Sequence, residues 1–161
     1  MRIRNLLIAV AVLAVAVPGM ASAGSRTDRA TGGGQTLLST PGAGNTIAFT
    51  AQGTTDLAKG QVQFIDRSAG TGQSQVKFHG VVNCLLVEGN RAQISGENRD
   101  THAPFELSVV DNGEGAAASN DLILFDTTDV DGNCATDDSD DDDEPELALA
   151  RGNAQVYDAT P

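Results

Sequence analysis

The chain has 161 residues, with ten Lys and Arg against 22 Asp and Glu and a formal net charge of −12. That length holds one ordinary domain able to bury a sizeable core. The acidic balance argues against nucleic acid and anionic membrane surfaces as partners, because phosphate binding requires a basic face.

The N-terminus reads as a leader rather than as structure. Arg2 and Arg4 precede an unbroken apolar run from Leu6 to Val17. Pro18-Gly19 breaks that run, and Ala21-Ser22-Ala23 supplies the small-x-small pattern of a signal-peptidase site. A run of twelve is too short to cross a bilayer, which takes about 20 residues. Residues 1–23 are therefore expected to be a Sec-type signal peptide cleaved between Ala23 and Gly24, leaving a secreted chain with no membrane insertion. Removing Arg2 and Arg4 with the leader takes the formal charge from −12 to −14.

Residues 24–30 are expected to be a flexible mature N-terminus, with a β-domain over 31–158. "TGGGQTLL" (31–38) fits an edge strand in which the glycines admit a second backbone closely. In "NTIAFTAQG" (45–53), Ile47, Phe49 and Ala51 share one face; in "GQVQFID" (60–66), Val62 and Phe64 do. "QVKFHGVVNC" (75–84) alternates Val76, Phe78, Gly80, Val82 and Cys84 against Lys77, His79 and Asn83. "VEGNRAQISG" (87–96) predicts a hairpin turning on Gly89-Asn90, with Ala92 and Ile94 inward.

"FELSVVDNGEG" (105–115) puts Phe105, Leu107 and Val109 inside before a turn at Asp111-Asn112-Gly113. "DLILF" (121–125) is apolar on both faces, as a central strand is. "ELALARGNAQVYD" (146–158) supplies the last one or two strands, on either side of Gly152-Asn153. Each of the five phenylalanines falls in a different strand, which places them in a shared core. The expected fold is all-β: a single antiparallel sandwich or small barrel of about 7–9 short strands.

"TGGGQ", "KFHGVVNC" and the closing "GNAQVY" together resemble a group of small secreted bacterial Gly-rich β-domains. That group often stands beside other extracellular modules. The resemblance spans about Thr31 to Tyr157 and implies a secreted β-domain. It transfers no catalytic residue and no activity.

Eleven of the 22 carboxylates lie in "DTTDVDGNCATDDSDDDDEPE" (126–146), which contains no Lys or Arg. Residues 135–146 are expected to be an acidic disordered insertion, since like charges repel and stay extended. The first part carries candidate chemistry. Placing Gly132 at position 6 of an EF-type loop puts Asp129, Asp131 and Asp138 at positions 3, 5 and 12, but leaves Thr127 where position 1 needs Asp. A looser calcium site from Asp126, Asp129, Asp131 and Asn133 is the alternative, against ordinary Asp-Gly-Asn turn chemistry. No cofactor other than calcium is suggested.

Cys84 and Cys134 are the two cysteines of an exported chain, so a disulfide between them is expected. They could instead stay reduced or bridge two chains. His79 is expected to be an exposed strand residue and His102 a loop residue, and no metal or nucleophile motif surrounds either. The expected function is thus a secreted, non-catalytic, monomeric β-domain that binds or supports an unidentified protein or envelope component. A calcium-dependent adhesion or recognition module is the second reading, and an extracellular hydrolase the third.

Overall fold

Alternation between apolar and polar residues builds eight strands, and their pairing closes them into one barrel. The computed structural model describes residues 27–36, 44–55, 57–67, 76–114, 120–128, 130, 132, 134 and 147–159. In chain order the strands are β1 (Asp28–Thr36), β2 (Thr46–Gly53), β3 (Lys59–Asp66) and β4 (Val76–Glu88). β5 (Arg91–Asn98), β6 (Pro104–Val110), β7 (Leu122–Asp126) and β8 (Leu147–Tyr157) follow. Each strand pairs antiparallel with its sequence neighbour, and β1 pairs with β8 to complete the ring. The expected leader, residues 1–23, lies outside the described residues, as does the expected acidic insertion at 135–146.

Three expectations are refined. The strand of the glycine run is no edge: β1 is bonded to β2 on one side and β8 on the other, because closure leaves no free edge to occupy. It also begins three residues before the expected boundary at Thr31. Asp28 pairs with Gly53, Arg29 pairs with Tyr157, and the Asp28 Oδ1 accepts the Ala159 N–H at 3.0 Å, so residues 28–30 are tied down instead of flexible. Third, β8 runs as one strand through Gly152-Asn153, its register against β1 shifting between Gln35 and Thr36. The hairpin at Gly89-Asn90 is as expected, with Gly89 at φ 61°, a left-handed conformation in open space that glycine adopts without strain.

The interior is apolar and filled by side chains, as eight-stranded barrels allow. Ile47, Val62, Leu85, Ile94, Leu107 and Ile123 are all fully buried there. The start of β1, the end of β8 and the β2–β3, β4–β5 and β6–β7 connections share one end, here the lower. Four phenylalanines plug the upper end. Phe64 stacks on Phe125 with ring centroids 4.7 Å apart, and Phe78 meets Phe105 and Phe125 edge-on at 5.4 and 5.1 Å. Phe105 occupies room that only glycine leaves: a Cβ on Gly80 would stand 2.5 Å from its ring. A Cβ on Gly96 would collide with the Val81 carbonyl oxygen and meet the same ring at 3.1 Å.

The seam between β7 and β8 is short, with only two paired positions, Leu122 with Ala148 and Ile123 with Leu147. Below it, β8 has outgrown its neighbour, and carboxylates from the β6–β7 connection take the place of a strand. Asp121, buried at 5% exposure, accepts the Ala154 N–H through Oδ2 at 2.6 Å and the Asn112 N–H through Oδ1 at 2.9 Å. Asp111 accepts the Val156 N–H at 3.0 Å and the Gly113 N–H at 2.8 Å. Backbone donors that would otherwise be orphaned at the seam are thereby satisfied by charged acceptors.

Candidate functional site

The stretch that carried the candidate chemistry leaves the barrel at the upper end and returns across its outside. β7 ends at Asp126, whose Oδ1 accepts the Thr127 and Thr128 N–H groups at 2.6 and 2.8 Å and turns the chain. Gly132 then passes over the end of β5 and the start of β6. A Cβ there would lie 3.0 Å from the Pro104 Cβ in β6 and 3.3 Å from the Gly96 carbonyl oxygen in β5. Cys134 lands on β4, bonded to Cys84 with Cα atoms 5.7 Å apart. The described residues between Asp126 and Cys134 therefore trace a strap from β7 over β6 and β5 to β4.

The strap depends on a bulge. Between Val82 and Cys84 the β4–β5 register slips by one, leaving Asn83 as the extra residue. Strict alternation would have put Cys84 on the core side with Val82. Instead Leu85 and Val87 take up the core positions, and Cys84 faces outward with Ser95 opposite it. Cys84 is nonetheless buried, because Cys134 covers it with 0% exposure of its own. The Cys134 N–H donates to the Cys84 Sγ at 3.1 Å, and the Ser95 hydroxyl lies 3.4 Å from the Cys134 Sγ. In the chain-entropy account, closing this 50-residue loop stabilises the fold by roughly 4 kcal/mol.

Of the four calcium candidates, Asp126 is described and serves as the turn cap; Asp129, Asp131 and Asn133 lie outside the described residues. Among the described residues, no group of three or more His, Cys, Asp or Glu is arranged to hold a metal ion. His79 sits exposed on the outer face of β4, as expected. His102 lies in the β5–β6 turn at φ 58°, its Nδ1 3.3 Å from the Glu97 Oε2, with both side chains largely in solvent. An exposed pair of this kind contributes little to stability.

The outer face of β1 through β4 has a composition that alternation alone does not reveal. From β1 and β2 it presents Arg29, Thr31, Gln35, Ala48, Thr50 and Gln52. From β3 and β4 it presents Lys59, Gln61, Gln63, Lys77, His79 and Val81. None of these is a carboxylate, although Glu88 stands exposed at the outward lower end of β4. The register aligns them in rows: Arg29, Gln52 and Lys59 in one, Thr31, Thr50, Gln61 and Val81 in the next, and Gly33, Ala48, Gln63 and His79 in a third. A recess of about 460 Å³ opens at the lower end beside the first row, bounded by Gln52, Lys59, Gly53 and the exposed Leu57.

Sequence reasoning named no residue of this surface as functional. The signal was available as polar residues at outward positions of four consecutive strands, but only the register shows that they share one face. The seam carboxylates were equally hidden, since Asp111 read as a turn former and Asp121 as the first residue of an apolar strand. No protein family, curated protein or solved structure was found to match the chain.

Proposed function

We propose that this chain is a secreted, non-catalytic β-domain that acts outside the cell or at its envelope by binding or by support. The observation that carries the reading is the buried Cys84–Cys134 bridge that closes the strap onto β4. A disulfide packed into a fold in this way suits an oxidising compartment and is rare in a reducing one. The leader-like start, with Arg2 and Arg4, an apolar run and Ala21-Ser22-Ala23, supports the same location.

Two further features favour a domain in water over one in lipid. The interior is apolar, while the outer positions of β1 to β4 are mainly Thr, Gln, Lys, Arg and His. A membrane barrel presents the opposite alternation, apolar outward. The motifs behind the family resemblance fall on β1, β4 and β8, including both strands that close the ring. Conserving such motifs would preserve closure, which fits a scaffold more readily than a reaction centre.

Expression of the full chain in a secreting bacterial host, followed by cell fractionation and N-terminal sequencing, tests the location. The reading expects the product in the envelope or medium, beginning at Gly24. An intact chain beginning at Met1 and confined to the cytoplasm would overturn it.

A further inference from the structure

We propose that Asn112-Gly113, in the turn after β6, is a deamidation site that the β7–β8 seam protects, so that conversion of Asn112 reports opening of the seam. This is the one Asn-Gly pair in the chain. An asparagine followed by glycine is chemically labile, because no side chain shields the next backbone nitrogen from the amide carbon. Gly113 is exposed, and nothing lies within 4 Å of where its Cβ would stand, so water has free access. The pair nonetheless sits between Asp111 and Asp121, the two carboxylates that take the place of a strand beside β8. Seam and turn belong to the folded barrel, so the site is the same whether or not the chain is exported.

The reaction needs only water. The Gly113 nitrogen attacks the Asn112 Cγ, an N–Cγ bond forms and the Cγ–Nδ2 bond breaks. Ammonia leaves, carrying the proton that the Gly113 nitrogen gave up. Water then opens the succinimide so formed. Addition at the Cγ carbonyl gives an aspartyl residue. Addition at the main-chain carbonyl gives an isoaspartyl residue, whose main chain runs through Cβ and is longer by one methylene. Either product carries a carboxylate at physiological pH where the parent has none.

Three hydrogen bonds oppose the first step. The Gly113 N–H donates to the Asp111 Oδ1 at 2.8 Å, so an anionic nitrogen forming there would face a carboxylate at hydrogen-bond distance. The Asn112 Nδ2 donates to the Asn120 carbonyl oxygen at 2.8 Å, which fixes the leaving group. The Asn112 N–H donates to the Asp121 Oδ1 at 2.9 Å, which fixes the main chain. Asp111 and Asp121 also bond Val156 and Ala154 of β8, so opening the seam loosens the turn with it. Reaction therefore waits for local opening, as amide hydrogen exchange does. The change is also one-way. The new carboxylate meets the Asn120 carbonyl oxygen where Nδ2 had donated, and it stands beside Asp111 and Asp121, so a modified seam closes less well.

The test is timed incubation of the purified protein, disulfide intact, in neutral buffer. Peptide mapping by mass spectrometry then quantifies aspartyl and isoaspartyl products at position 112. The same protein unfolded in guanidinium chloride gives the unprotected rate, and the folded protein is expected to react about tenfold or more slowly than that. Asp121→Asn should speed the folded-state reaction about tenfold or more and leave the unfolded rate unchanged. Should that variant not fold, guanidinium below the parent's unfolding midpoint serves instead: the rate should climb with denaturant, because opening exposes surface. Asn112→Asp, which installs the aspartyl product directly, should unfold at a lower urea concentration than the parent. Equal rates in folded and unfolded protein, or a folded-state rate indifferent to Asp121→Asn or to denaturant, would overturn the proposal. So would earlier conversion of another asparagine, or an Asn112→Asp variant as stable as the parent.

Discussion

Asp121→Asn is a near-isosteric change that isolates the carboxylate seam. Asp121 is 5% exposed and uses both oxygens, Oδ1 for the Asn112 N–H and Oδ2 for the Ala154 N–H. Asparagine keeps one acceptor and replaces the other by an NH₂ group, which must face a backbone donor across about the same gap. Two effects oppose. Neutralising a buried charge removes part of its desolvation cost, which favours the variant. The variant also loses one charge-assisted hydrogen bond worth about 1.5–3 kcal/mol and leaves a buried N–H without an acceptor.

The second effect should win, because the carboxylate already has backbone donors on both oxygens and its remaining desolvation cost is small. The expected loss is about 2 kcal/mol, or roughly 5–10 °C in Tm for a domain of this size. Urea unfolding of parent and variant, monitored by far-UV circular dichroism, would measure it as a lower midpoint at constant m-value. Asp126→Asn, in an exposed turn, is the control and should change stability by less than about 0.5 kcal/mol. A loss at Asp121 no larger than that of the control would refute the seam's role in closing the barrel.

Other substitutions probe the core and the strap. Gly80→Ala should destabilise by about 1–3 kcal/mol, because its Cβ meets the Phe105 ring at 2.5 Å and forces that ring off its seat; thermal unfolding reads the shift. Phe105→Ala should cost about 3–5 kcal/mol and loosen Phe78 and Phe125 with it, which near-ultraviolet spectra would report. Cys134→Ser should lower stability by about 2–4 kcal/mol under oxidising conditions. Adding reductant should destabilise the parent and leave that variant unaffected.

Much of the barrel was legible in the sequence because period-two alternation survives closure. Ile47, Phe49 and Ala51 in β2, Ala92 and Ile94 in β5, and Phe105, Leu107 and Val109 in β6 all face the core as their spacing predicts. The Gly89-Asn90 turn was equally plain, since a left-handed turn position leaves a compositional mark. Alternation fails at Cys84 because one bulged residue reverses every later side chain, and no local pattern around Asn83 announces it.

Closure itself was not legible. The same strands could pair as a sandwich, and only the β1–β8 register distinguishes the two. That register also turned the glycine run from an expected edge into the closing strand, where Gly32 and Gly34 admit the β8 backbone. The candidate surface shares the limitation, because Arg29 and Lys59 are 30 positions apart in the chain and become neighbours only through β2.

The account turns on the strap, and peptide mapping of the secreted protein tests it most directly. Non-reducing digestion after alkylation should yield one linked pair of peptides carrying Cys84 and Cys134, separable only after reduction. Recovery of both cysteines as alkylated thiols from the unreduced, denatured protein would contradict the strap and, with it, the main support for an extracellular domain.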